Sequence, residues 1–331
     1  MENASQQSLI SIVIPVLNRE ALLPRTLDSI LNQTLRPFDV ILVDNGSDDG
    51  SLALMESRAI RLNEAGIKTK VIIEKRRGQS SARNAGLREV RTPYVMWFDS
   101  DDEMEHDHLR TIQEELIAHP ETDLMWFDIK TLDDDGWSET IAVDDSDLIR
   151  GHLLHSTLAN ARYVVKTKLV SELGGFDESL NAWEDVELGT RLLCAAENGR
   201  KFRREPMVIV HPHADSVTGS RFSDKSSTLE SALDLCENAL RRYGREDDTI
   251  WVDVRRMILS GLYAKEGNRS LSTRLSDKVL DRTKSARNRI ALGFVRDTVA
   301  YFGRGGSTIA KALIGVKGGE KEGRKGTSRG L

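Results

Sequence analysis

Four short apolar runs, each followed by polar residues, constrain the fold more than any other feature of the chain. They are LISIVIPV, DVILVD, KVIIEK and YVMWF, all within residues 9–98. β-Branched runs of this length predict buried strands. The segments between them have apolar residues at helical spacing, as in residues 51–66 and 81–90. Strands that alternate with helices predict the α/β class, with a mostly parallel sheet flanked by helices on both faces.

Polar clusters follow three of these strands, at Asn18, at residues 44–49 and at residues 99–102. In open α/β sheets, ligands bind beyond the carboxyl ends of the strands. We therefore expect the three clusters to meet at one rim and to form a binding site.

The distribution of proline predicts a change of architecture near residue 220. All seven prolines lie at or before Pro212, and helical spacing then recurs at Leu229, Leu233, Cys236 and Leu240. We predict a catalytic-type domain at 1–220, a helical appendage at 221–305 and a basic, disordered tail at 306–331.

Composition excludes some classes of function. With 39% hydrophobic and 30% charged residues and a net charge of −5, the chain has the composition of a globular protein with no general affinity for nucleic acid. Two cysteines, a polar N-terminus and no apolar run of membrane-spanning length predict a cytoplasmic protein. Residues 282–331, however, hold twelve Lys/Arg against three acidic residues, which favours an anionic partner for this end.

Residues 285–303 predict a basic amphipathic helix with two open interpretations. The expected apolar face consists of Ile290, Phe294, Val295, Val299 and Phe302, with Arg287, Arg289 and Arg296 beside it. Such a helix can lie in a membrane interface, which would give peripheral attachment at the inner membrane face. It can equally pack on the catalytic domain or on another subunit.

The acidic cluster Asp99-Ser100-Asp101-Asp102 directly follows the buried run VMWF. Asp99 and Asp101 point to the same side if the chain stays extended, and carboxylate pairs suit Mg²⁺ or Mn²⁺. A solvated turn that caps the next helix explains the same residues, and the pattern alone does not decide between them.

Three further segments have both a functional and a structural interpretation. GQSSARNAG, residues 78–86, is either an anion-binding helix start or an ordinary strand-to-helix turn. In NAWED, Asp185 is either a general base or a helix cap. His211 and His213 are either metal ligands or structural residues.

Taken in order, the segments ISIVIPVLNRE, DVILVDNGSDDGS, GQSSARNAGL, YVMWFDSDD and GGFDESLNAWEDVELGTRL resemble the inverting family-2 glycosyltransferases of GT-A fold. The resemblance covers residues 9–216 and leaves out the helical C-terminal third. It implies a nucleotide-sugar donor, most often a UDP-sugar, a Mn²⁺ or Mg²⁺ cofactor, and a glycan or lipid-linked acceptor, as in the synthesis of cell-envelope polysaccharides.

The resemblance also implies roles for individual residues. Asp185 matches the catalytic base, Trp183 and Glu184 lie where the acceptor binds, and Asp99 and Asp101 match the DxD acids that reach the ribose and the metal. His213 matches a histidine near the diphosphate, with His211 as the alternative metal ligand. The positions that match the nucleotide site are Pro15, Val16, Asn18, Asp44, Gly78, Arg83, Asn84, Asp99 and Ser100. Asn45 departs from the family, which often has aspartate there.

Two rival functions are weighed against this one. A non-catalytic nucleotide-sugar-binding or scaffold protein often lacks acidic residues that this chain retains at Asp99, Asp101 and Asp185. A sugar-1-phosphate nucleotidyltransferase would have a Gly-rich basic loop after the first strand, where this chain has PVLNRE.

Overall fold

The computed structural model describes residues 8–133, 135–202, 205, 207–212 and 221–314. These residues form a seven-stranded sheet, a four-stranded sheet and a set of helices. The strands are β1 (Ile10–Val16), β2 (Asp39–Asp44), β3 (Lys68–Ile73), β4 (Tyr94–Trp97), β5 (Glu103–Met104), β6 (Leu124–Trp126), β7 (Ile129–Leu132), β8 (Ser138–Ile141), β9 (Tyr163–Lys166), β10 (Gly199–Lys201) and β11 (Val208–Val210). The helices are α1 (Leu23–Leu31), α2 (Ser51–Glu64), α3 (Gln79–Glu89), α4 (His108–Ala118), α5 (Leu148–His155), α6 (Thr167–Glu172), α7 (Glu184–Ala195), α8 (Ser226–Arg242), α9 (Thr249–Lys265), α10 (Arg269–Arg282), α11 (Ala286–Phe302) and α12 (Gly306–Leu313).

The large sheet has the strand order β10-β6-β9-β4-β1-β2-β3 among the described residues. β1 pairs in parallel with β2 and β4, β2 with β3, and β6 with β10, whereas β9 runs antiparallel to both β4 and β6. The α/β class is confirmed, and the sheet is mixed with a parallel half at β4-β1-β2-β3.

Alternation along β1 divides the interior into two cores. Ile10, Ile12 and Ile14 point into a core shared with α1, α2 and α4, while Val13 points into a second core shared with α3, α6 and α7. α3 lies so close to the sheet that a Cβ added to Gly86 would be 2.2 Å from Val13 Cγ1.

The small sheet, of order β5-β11-β7-β8, was not predicted. The segment DLMWFDIKTL was expected to form one strand, but Leu124–Trp126 joins the large sheet and Ile129–Leu132 joins the small one. β5 and β11 pair at the far end of the acidic cluster, and this pairing anchors its last residues.

The helical C-terminal region is present, but the compact units divide later than residue 220. The first unit ends at Val252 and the second begins at Asp253. The reason is that α8 packs against α7, where Thr190 Oγ1 lies 3.4 Å from Cys236 Sγ. None of the helices described is long and apolar enough to cross a bilayer.

The prediction of one apolar face on α11 is wrong. Val295 and Val299 are buried, whereas Ile290, Phe294 and Phe302 are exposed. At 100° per residue, Ile290 and Val299 lie on opposite sides of the helix. α11 therefore has apolar residues on both sides, of which only one is packed against other described residues.

Candidate active site

The carboxyl ends of β1, β2 and β4 lie side by side, as predicted, and the loops that follow them form one rim. Asn45 N donates to Val16 O across 2.8 Å, and Phe98 N donates to Val13 O across 3.0 Å. The loops at 17–22, 45–50 and 98–102 therefore begin next to one another.

Asn18 links the loops after β1 and β2 through two hydrogen bonds. Its Oδ1 accepts from Asp48 N at 2.9 Å, and its backbone N donates to Ser47 Oγ at 3.1 Å. Asn18 has φ 53°, a left-handed conformation that asparagine tolerates better than most residues. Pro15 and Val16 lie at the end of β1 just before this junction.

The side chains of Asp44 and Asn45 shape the second loop. The Asp44 carboxylate is almost fully buried and accepts from Gly46 N at 3.0 Å. Asn45 donates through Nδ2 to Glu74 O at 3.0 Å and to Arg76 O at 2.8 Å, and its Oδ1 accepts from Gly78 N at 2.9 Å. An aspartate could not donate to those two carbonyls, so the departure at Asn45 has a structural function that sequence reasoning missed.

Arg83, at the second turn of α3, is the centre of the site. Only 3% of its surface is exposed, yet its guanidinium donates to Glu184 Oε1 at 2.7 Å and to Asp99 Oδ1 at 3.3 Å. It also lies over the Phe176 ring, 5.4 Å from the centroid. Burial opposes the charge, but the Glu184 and Asp99 carboxylates outweigh it and raise the pKa of Arg83. One guanidinium thus connects three segments that are distant in sequence.

The other predicted residues of α3 face different neighbours. The Asn84 amide is occupied by Phe176, with Nδ2 2.9 Å from Phe176 O and Oδ1 2.9 Å from Phe176 N. It thereby fixes the loop before α7. Gly78 precedes the helix with φ 135°, a conformation that side-chain-bearing residues rarely adopt.

The acidic cluster is packed tightly against basic side chains. Arg19 Nε lies 3.5 Å from Asp101 Oδ2, and Arg25 Nη2 donates to Asp101 O at 2.6 Å. Ser100 and Asp102 are buried. Burial, together with the charges of Asp99 and Asp101, raises the pKa of Asp102 to about 8.

The donor set at this cluster fits a divalent cation. Burial raises the pKa of Asp99, and Asp101 adds to this rise while Arg83 opposes it. Two carboxylates, with water and phosphate oxygens completing the shell, are the usual ligands of Mg²⁺. No three His, Cys, Asp or Glu side chains gather as a metal site in the described ranges.

The two histidines considered as further ligands differ in what the structure says of them. His213 lies outside the described residues. His211 Nε2 is 2.8 Å from Glu103 Oε2, and its backbone N donates to Asp102 Oδ1 at 3.2 Å. His211 therefore braces the end of the acidic cluster from β11.

Trp183, Glu184 and Asp185 form the start of α7. Trp183 has φ 59°, a strained conformation for a residue with a side chain. Glu184 is buried against Arg83, so its carboxylate is engaged before any acceptor arrives. Asp185 is half-buried, and its Oδ1 accepts from Val186 N at 2.9 Å. The sequence could not tell which acid of this pair is paired with a cation.

The buried imidazole of His152 supports the start of α7, and sequence reasoning missed it. His152 Nδ1 accepts from Leu158 N at 3.1 Å, so the proton is on Nε2, which donates to Val186 O at 2.9 Å. Thr190 Oγ1 donates to the same carbonyl at 2.8 Å. No motif marks His152, because its role arises only from the packing of α5 on α7.

A separate cavity of about 410 Å³ lies beside α1 and β5, away from Arg83 and Asp185. Arg25, which donates to Asp101 O, is one of the residues that line it. The convergence of charged groups, and not this cavity, identifies the site.

Comparison with known proteins agrees with this geometry. The model of the family "Glycosyl transferase family 2" matches residues 11–164. The glycosyltransferase GlyA of Streptococcus pneumoniae is 32% identical over 110 residues, which are 33% of this chain and 15% of that protein's length. The chain thus spans only a small part of that relative.

Two solved structures have the same fold. The S. aureus TarS fragment 1–349 in complex with UDP-GlcNAc has a TM-score of 0.69 at 17% identity, over 93% of this chain and 92% of that one. The mannosyltransferase PcManGT of Pyrobaculum calidifontis, in complex with GDP-Man and Mn²⁺, has a TM-score of 0.58 at 15% identity, over 94% and 86% of the two chains. Residues 11–164, which carry the rim of three loops, thus form a glycosyltransferase family 2 domain.

Proposed function

We propose that the chain transfers a sugar from a nucleotide-sugar, with a UDP-sugar as the expected donor, to a hydroxyl group of a glycan or lipid-linked acceptor, with inversion at the anomeric carbon. The observation that carries the proposal is the guanidinium of Arg83. It lies within 3.3 Å of Asp99 in the acidic cluster and within 2.7 Å of Glu184, the neighbour of Asp185. The donor-binding loop and the helix bearing the base are thereby joined.

The rim fits the donor. Asp44, Asn18 and Pro15, which lie at the ends of β1 and β2, would contact the base and ribose, and Asp99 and Asp101 would face the diphosphate. A divalent cation, Mn²⁺ or Mg²⁺, bound there would neutralise charge on the leaving diphosphate. Arg19 and Arg25 lie beside Asp101 and add positive charge on the same side.

Asp185 is proposed as the general base. A sugar hydroxyl is a weak nucleophile at neutral pH, and a carboxylate within hydrogen-bond reach accepts its proton as attack proceeds. Asp185 suits this role because it is half-buried, whereas Glu184 is already paired with Arg83. The ring of Trp183, two residues before Asp185, offers a flat apolar surface on which an acceptor sugar can stack.

The proposal also covers the acceptor and the location of the reaction in the cell. Acceptors of the cell-envelope class are often carried on lipid, and a peripheral position at the inner membrane face would bring the enzyme to them. The roles of Gly78, Asn84, Ser100 and His213 at the donor site remain predictions.

The test combines donor binding with turnover. The purified chain is titrated with UDP-, GDP- and dTDP-sugars with and without Mn²⁺, and nucleotide release is then measured with an acceptor array. Asp185→Asn should keep the donor affinity within about threefold and lower the transfer rate about 10²- to 10⁴-fold. The exposed Asp135→Asn serves as the matched control and should leave both quantities unchanged.

Each result separates the alternatives. A wild-type transfer rate in Asp185→Asn would contradict the base assignment. Metal-dependent donor binding without turnover on any acceptor would favour the non-catalytic nucleotide-sugar-binding protein.

A further inference from the structure

The outer side of α11 carries large apolar residues that pack on nothing in the described part of the chain. Ile290 is 71% exposed, Phe294 61% and Tyr301 80%. At 100° per residue these three lie within an arc of about 40°, and they extend about 16 Å along the helix. We name Ile290, Phe294 and Tyr301 the α11 stripe.

Neighbouring residues widen the apolar surface around the α11 stripe. The Phe302 ring is 63% exposed and packs edge-to-face on Tyr301, with 4.7 Å between centroids. Arg287 Nη2 donates to Leu313 O at 3.0 Å, which brings the 40%-exposed Leu313 alongside the start of α11. Contiguous exposed apolar residues of this kind mark interaction surfaces.

The charge around the α11 stripe selects the partner. The described segment 282–314 contains seven Lys/Arg and a single acidic residue, Asp297. Asp297 Oδ1 accepts from Arg296 at 2.7 Å, so its charge is compensated. Residues 315–331 add five Lys/Arg and two Glu. In the described segment 282–314, the α11 stripe thus lies within a strongly cationic stretch of chain.

We propose that the α11 stripe inserts into the interface of an anionic lipid bilayer. A helix with exposed aliphatic and aromatic residues between arginines binds the boundary between headgroups and acyl chains, and each basic residue is attracted by anionic headgroups. A second copy of the chain fits less well, because a symmetric contact would bring the same cationic segment against itself. The inference stands apart from the sugar-transfer reaction, since it concerns binding without substrate.

The experiment is vesicle flotation of the full chain. The probe is vesicles of phosphatidylglycerol and phosphatidylcholine in equal parts, with pure phosphatidylcholine vesicles for comparison. We expect flotation with the anionic vesicles, and weaker flotation as the salt concentration rises. The double variant Ile290→Ser/Phe294→Ser should lower the partition coefficient at least about tenfold, because two apolar side chains lose their burial.

The control replaces two residues of similar exposure elsewhere. Ile60 is 63% and Ile117 59% exposed, so Ile60→Ser/Ile117→Ser removes a comparable apolar area and should leave binding unchanged. A charge variant, Arg289→Gln/Arg304→Gln, should weaken binding about fivefold per arginine and reduce its salt dependence. The side chains replaced in these two control variants, at Ile60, Ile117, Arg289 and Arg304, all lie on the surface, so circular dichroism should show unchanged folding.

Three outcomes would overturn the proposal. The first is a wild-type chain that stays at the bottom of the gradient with anionic vesicles. The second is equal flotation of wild type and Ile290→Ser/Phe294→Ser, which would assign binding to charge alone. The third is light scattering that finds a wild-type oligomer and a monomeric double variant, which would make the α11 stripe a contact between copies.

Discussion

The buried ion pair between Arg83 and Glu184 gives the sharpest test of how the site is built. The resemblance to family 2 implies that Glu184 binds the acceptor, whereas the structure engages its carboxylate with Arg83 at 2.7 Å. The test is a double-mutant cycle of Arg83→Met, Glu184→Gln and the combination. If the pair is structural, the effects of the two changes on the free energy of unfolding must depend strongly on each other, even without substrate.

The expected magnitudes follow from burial. Arg83 is 3% and Glu184 6% exposed. Arg83→Met leaves the Glu184 carboxylate buried without its cation and should lower the free energy of unfolding by about 3–5 kcal/mol. Glu184→Gln keeps the shape and a neutral acceptor, so we expect a loss of about 1.5–3 kcal/mol. The double variant should be more stable than the sum of the two losses by about 1–3 kcal/mol.

The assay is urea unfolding at neutral pH without metal or nucleotide, followed by fluorescence. The surface pair Lys70–Glu89 is the matched control, with 2.6 Å between Lys70 Nζ and Glu89 Oε2 and with both side chains partly exposed. The cycle of Lys70→Met and Glu89→Gln should give a coupling below about 1 kcal/mol that decreases with salt. The coupling of the buried pair should persist in salt.

A coupling below about 0.5 kcal/mol between Arg83 and Glu184 would refute the reasoning. So would a Glu184→Gln variant of wild-type stability whose KM for the acceptor rises. Either result would return Glu184 to the acceptor site and would mean that the Arg83 guanidinium is held by Asp99 alone.

Three further predictions concern stability and use the same unfolding measurement. Asn45→Asp should cost about 2 kcal/mol or more, because two backbone carbonyls at residues 74–76 lose their donors and face a carboxylate; Asn45→Ser, with a neutral side chain, should cost less. Gly86→Ala should cost about 1–3 kcal/mol, since the new Cβ would lie 2.2 Å from Val13 Cγ1, and an unchanged stability would disprove this close approach. Burial lowers the pKa of His108 to about 3, so between about pH 6.5 and pH 3 the unfolded state takes up a proton that the folded state does not. The free energy of unfolding therefore decreases as the pH is lowered through this window, by about 2 kcal/mol at about pH 5. His108→Leu should remove that component from the pH profile.

The rim was predictable because its signals are local. Each of the strands β1, β2 and β4 is a run of β-branched or aromatic residues that ends in a polar loop, and the parallel arrangement then brings those loops together. The small sheet was not predictable for the opposite reason. β5 has two residues, β7 and β8 have four each, and β5 pairs with β11, about a hundred residues further along the chain.

Roles that depend on a distant partner also escaped the sequence. The carboxylates of Glu184 and Asp185 are equivalent in the pattern, and only the position of Arg83, 101 residues away, distinguishes them. On α11 the sequence shows apolar residues on two sides but not which side is packed. Val295 and Val299 are buried by neighbouring helices, and nothing local distinguishes them from Ile290.

The start of α7, where Asp185 lies, is held in part by residues outside the segment that the family model covers. Trp183 holds a left-handed conformation that costs about 1–3 kcal/mol and persists only because the surroundings impose it. Two side chains from other helices contact the carbonyl of Val186 in the first turn of α7. They are His152 from α5 and Cys236 from α8, whose Sγ lies 3.7 Å away. Because α8 lies beyond the predicted boundary at residue 220, the helical region takes part in holding the start of α7, and a chain shortened at that boundary should lose the geometry of Asp185 before it loses the rim of three loops.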